Sequence, residues 1–114
     1  MEPVIAYRQA VERVLSAYTN IPYAHGELRC EAIFDREHDR YALITLGWNA
    51  GKRMKRMHFP LVHIDIVGGK VWIERDTTED GVADELVHAG IPKSQIVLAF
   101  RPPEVRKQTD YAVA

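Results

Sequence analysis

The glycine pair Gly68-Gly69 constrains this chain more than any other feature. It separates two segments of alternating apolar residues. Tight two-residue hairpin loops need positive φ angles, which glycine adopts without steric penalty. The register then follows by counting. With Val67 facing Lys70, Ile66 pairs with Val71, Asp65 with Trp72, Ile64 with Ile73, and His63 with Glu74. Successive strand residues point to opposite faces. One face of the hairpin is therefore Val62, Ile64, Ile66, Val71 and Ile73, which is core. The other carries His63, Asp65, Trp72 and Glu74, ionisable groups around one tryptophan.

A lone hairpin is marginal in water, so its apolar face needs more strands and a cover. Leu28, Cys30, Ala32 and Phe34 alternate with Glu27, Arg29 and Glu31, a strand with one buried face. A charged turn at 35 to 40 leads into 41 to 48, which is apolar on both faces and suits a central strand. Asn49-Ala50-Gly51-Lys52 supplies the next turn. In the segment 53 to 67 that follows, Pro60 cannot donate a ladder hydrogen bond, so a bulge or edge position is expected there.

Two helices flank these strands. Val4, Ile5, Val11, Val14, Leu15 and Tyr18 form one helical stripe over 3 to 19, ended by Asn20-Ile21-Pro22. A second helix is expected at about 79 to 89. Thr77 or Thr78 caps it, Glu79 and Asp80 complement its start, and Gly90 sits at its end. A short buried strand follows at 96 to 100, and then a tail with Val105, Tyr111 and Val113 available to dock. The order α-β-β-β-β-α-β predicts one α+β domain over residues 1–114, an antiparallel sheet with two helices packed on one face.

Charge and cysteine content narrow the function. With 15 basic and 16 acidic side chains the net charge is -1, which excludes a uniformly basic nucleic-acid coat. The single cysteine, Cys30, excludes an internal disulfide framework and a four-cysteine zinc site. On an apolar strand face it reads as a small hydrophobe rather than a nucleophile. No apolar run approaches the roughly 18 residues of a membrane span. The start Met1-Glu2-Pro3-Val4-Ile5 lacks a signal-peptide pattern, so a cytoplasmic protein without membrane contact is expected.

His63, Asp65 and Glu74 could together hold a divalent cation or a water. A solvated or partner-covered face, with His63 and Glu74 as a cross-strand pair, is the simpler account. Asp65 and Glu74 are also spaced like the acidic pair of a metal-dependent nuclease. Such sites want a lysine two residues after the second acid, and Asp76 stands there instead. Lys52, Arg53, Lys55 and Arg56 place four cations in five residues, suited to phosphate contact or to strand-edge protection. Glu74, Asp76, Glu79, Asp80, Asp84 and Glu85 oppose them, so the chain is dipolar rather than basic. No glycine-rich phosphate loop, serine elbow or zinc-helix motif occurs. No catalytic, cofactor or metal residue is assigned.

Several stretches together resemble the XisI family, the fdxN-element excision controlling factors. They are Gly47-Trp48-Asn49, Leu61-Val62-His63-Ile64-Asp65-Ile66, Gly69-Lys70-Val71-Trp72-Ile73, Thr78-Glu79-Asp80-Gly81-Val82-Ala83, Gly90-Ile91-Pro92-Lys93 and Ile96-Val97-Leu98-Ala99-Phe100. The tail Tyr111-Ala112-Val113-Ala114 also follows the family's pattern. The resemblance implies a small, cofactor-free, non-enzymatic accessory factor. It would act with a XisH-like partner in programmed DNA-element excision during heterocyst differentiation in filamentous cyanobacteria, the recombinase being a separate protein. No catalytic residue carries over. On this reading His63, Asp65, Trp72 and Glu74 make a protein interface, to the XisH-like partner or in a homodimer. A second reading is a direct DNA-binding accessory protein that uses Lys52, Arg53, Lys55 and Arg56.

Overall fold

The computed structural model describes residues 3–20, 27–50 and 54–114. Its elements are α1 (Pro3–Tyr18), β1 (Glu27–Asp35), β2 (Arg40–Ala50), β3 (Met54–Val67), β4 (Lys70–Asp76), α2 (Val82–His88), β5 (Ile96–Leu98) and α3 (Pro103–Arg106). The strands form one sheet in the order β1-β2-β3-β4-β5. The first four make the expected antiparallel meander. β5 joins parallel to β4, because the chain crosses the sheet through α2 before returning. The sheet is therefore mixed, and the short α3 adds a third helix.

The glycine turn is as counted. Gly68 and Gly69 both have positive φ, 58° and 78°, and Val67↔Lys70, Ile66↔Val71, Asp65↔Trp72 and Ile64↔Ile73 are the observed pairs. The count fails one residue later. His63 lies opposite Arg75, not Glu74, because Glu74 is an extra residue in a β-bulge. The bulge brings Asp76 round to the side of the sheet where α2 lies. There its carboxylate accepts from the Val82 N–H at 2.6 Å, the Thr78 N–H at 3.0 Å and the Thr78 hydroxyl at 2.5 Å. The expected cap by a threonine side chain is thus replaced by Asp76, and the helix begins at Val82 rather than 79. Thr77 instead donates to the Leu61 carbonyl, from its N–H at 2.9 Å and its hydroxyl at 2.8 Å.

A second bulge sits beside Pro60, as the missing donor requires. Leu43 pairs with Val62 and Ile44 with Pro60, leaving Leu61 unpaired on β3.

A single cluster forms the core. The sheet contributes residues such as Tyr41, Leu43, Val62, Ile64, Val71 and Ile73. α1 adds Ala10, Val11, Val14 and Leu15, and α2 adds Val82 and Leu86. Ile5 departs from the expected stripe at 41% exposed, and Ala10 takes a buried place on that helix. Tyr18 donates its hydroxyl to Glu85 at 2.9 Å and so ties α1 to α2. Burial, helped by Glu85, pushes that hydroxyl's pKa up to about 12.

Two ion pairs fasten α1 to the β1–β2 turn. Arg8 grips Asp39 with two bonds of 2.6 and 2.9 Å, and Arg36 grips Glu12 with bonds of 2.9 and 2.6 Å. Arg8 and Glu12 are one helical turn apart, hence on the same side of α1. Among the described residues no helix is long and apolar enough to cross a membrane.

Candidate functional site

The sheet face away from α1 and α2 carries the polar residues singled out from the hairpin. Pairing sets Arg40, Asp65, Trp72 and Val97 in one row across β2 to β5. Asp65 is only 8% exposed, so its charge needs partners. His63 Nε2 donates to Oδ1 at 2.9 Å, and Arg40 Nη1 lies 3.3 Å from Oδ2. His63 and Asp65 are two apart on β3, which is why they share this face.

Trp72 is half-buried, and the C-terminal segment is what reaches over it. The Arg106 guanidinium stands 5.8 Å from the centre of the indole ring. The same guanidinium donates to the carbonyls of Leu98 (3.2 Å), Ala99 (3.3 Å), Arg101 (2.8 Å) and Val113 (3.1 Å). Beyond it, Ala112 bridges to Val97 and donates its N–H to the Ile96 carbonyl at 2.8 Å. The fork of donors on an arginine suits this task, whereas a lysine offers one point charge. Arg106 was not among the residues chosen from the sequence. Its partners are backbone carbonyls, which leave no residue pattern to read.

His63, Asp65 and Trp72 therefore meet, and Glu74 does not join them. The bulge removes Glu74 from the expected pairing with His63, and its side chain is exposed. Among the described residues no group of three or more His, Cys, Asp and Glu is placed to hold a metal ion. Cys30 is buried at 7% exposure, and burial raises its thiol pKa, as befits a packing residue.

The basic segment is split by its own strand. Lys52 and Arg53 lie outside the described residues. Lys55 and Arg56 are exposed neighbours on β3 and so point to opposite faces. Arg56 stacks 5.6 Å from the Trp48 ring centre, its cross-strand partner. Trp48 is 42% exposed and Ile33, on the same face, 58%. Ile33 was readable as an anomaly, since it stands among Arg29, Glu31 and Asp35 on the polar side of β1.

These features define a small α+β protein with one sheet face packed on helices. The other face presents one buried carboxylate, Asp65, beside exposed apolar groups. The chain belongs to the XisI family: the family described as XisI protein matches residues 1–113. A XisI-like protein from Anabaena variabilis has a crystal structure that matches this one with a TM-score of 0.82 and 31% identity, over 97% of this chain and 99% of that one. The fdxN element excision controlling factor XisI from the same organism matches with a TM-score of 0.80 and 29% identity, over 99% and 100%. A comparison with curated proteins gives no match.

Proposed function

We propose that this chain is a non-enzymatic controlling factor for programmed DNA-element excision during heterocyst differentiation, acting in the cytoplasm by binding a XisH-like protein. The observation that carries the reading is its likeness, over 99% of its length, to an fdxN element excision controlling factor. The open sheet face supplies a surface for the partner. Ile33 and Trp48 are exposed apolar anchors there. His63, Asp65 and Arg40 offer hydrogen-bonding groups beside them, with Trp72 half-covered and Glu74 at the rim. Aromatic and arginine side chains of this kind concentrate binding energy at protein contacts.

Affinity capture of the XisH-like protein tests this directly. Wild type should retain it, and Ile33→Asp or Trp48→Asp should weaken retention by about tenfold or more, some 1.4 kcal/mol. Failure of the wild-type chain to retain the partner overturns the reading. A direct DNA-binding role would instead give a mobility shift that fades steeply as salt rises.

A further inference from the structure

The two edges of the sheet are finished differently. β5 is three residues long, and Ala112 bridges to its Val97 from the tail. β1 runs nine residues without proline, in unbroken register with β2. Among the described residues no strand lies along its free side. A long, regular edge presents rows of unpaired N–H and C=O groups that template another strand. Exposed charges usually discourage such pairing, yet on β1 Arg29 and Glu31 have opposite signs and sit on the same face, two residues apart.

We propose that two copies of this chain pair antiparallel through β1, about a two-fold axis at Cys30. A two-fold contact brings the same strand against itself. With the axis at Cys30, Arg29 of each copy opposes Glu31 of the other, and Leu28 opposes Ala32. An axis at Leu28 also sets Arg29 against Glu27, but it overlaps only residues 27–29 of each β1, whereas the axis at Cys30 overlaps residues 27–33. The remaining registers lose the complementarity. An axis at Glu31 sets Glu31 against Glu31, and one at Arg29 sets Arg29 against Arg29, both unfavourable. An axis at Ala32 sets Arg29 against Asp35, whose carboxylate already accepts from the His38 N–H at 3.1 Å and Nδ1 at 2.8 Å. Within one copy Arg29 Nε contacts Glu31 Oε1 at 2.9 Å, so pairing merges two such contacts into one alternating group of four charges. The backbone pairing uses the sheet edge, while Arg29 and Glu31 lie on the same side of β1 as Ile33, beside the surface assigned to the XisH-like partner. The dimer is argued from the edge and its charges and does not rest on that assignment. A single strand pair is a small interface, consistent with micromolar affinity.

Light-scattering mass over a concentration series tests the proposal, with circular dichroism to confirm folding of each variant. Wild type should form dimers at micromolar concentration. Arg29→Glu and Glu31→Arg should each raise the dissociation constant about tenfold or more, and the double exchange should restore it. A monomer at the highest soluble concentration overturns the proposal. So does a dimer that ignores both reversals.

Discussion

Asp39 shows how much one residue can join. It has φ of 55°, the sole positive value among the described non-glycine residues, in a region where aspartate is better tolerated than most side chains. Its carboxylate receives both bonds from Arg8 and the Tyr41 hydroxyl at 3.1 Å, and its carbonyl accepts from the Ile66 N–H at 2.9 Å. The hydrogen bonds from Arg8 hold its pKa below the usual carboxylate range, against the opposing pull of burial. A depressed folded pKa means that this stability is present above the unfolded value of about 3.9 and is lost as pH falls through the folded one. Arg8 is 39% exposed, so solvent screens part of the interaction. Asp39→Asn keeps the backbone option and removes the charge. It should cost about 1 kcal/mol at neutral pH. Urea melts should show that gap closing as the pH is lowered toward 3.

At the scale of elements, the bulge at Glu74 decides how α2 attaches. Asp76→Ala removes the acceptor for the Val82 and Thr78 N–H groups and should destabilise the fold by about 1–2 kcal/mol, read from the urea midpoint. Loss of amide protection should centre on Val82–His88. The bulge also marks where sequence reading ran out. Glycine turn chemistry and apolar alternation specify the hairpin as far as Ile64 and Ile73. Glu74 and Arg75 are both polar and exposed, so neither alternation nor burial says which of them is the extra residue. The helix start failed for a related reason. Thr77, Thr78, Glu79 and Asp80 all suit a helix N-terminus locally, and the carboxylate that serves it arrives from six residues upstream. Arg106→Lys would leave most of the four carbonyls without their donor. Hydrogen exchange should then quicken over residues 96–114 while the strands β1 to β3 keep their protection.

Across the whole molecule, period-two arithmetic put His63, Asp65 and Trp72 on one face, and the structure places them together. Arg40 completes Asp65 from a strand more than twenty residues away, and Arg106 reaches Trp72 from the tail. Contacts between distant segments depend on the sheet order, which local pattern does not specify. The family, in contrast, was legible from short runs of residues spread along the chain, since shared sequence order carries information that periodicity lacks. The proposed role is that of an accessory protein whose open sheet face meets a XisH-like partner. The most direct test is to co-express the two and measure the mass of the purified material by light scattering. A single species with fixed stoichiometry is the predicted result. Separate elution at micromolar concentrations would contradict it.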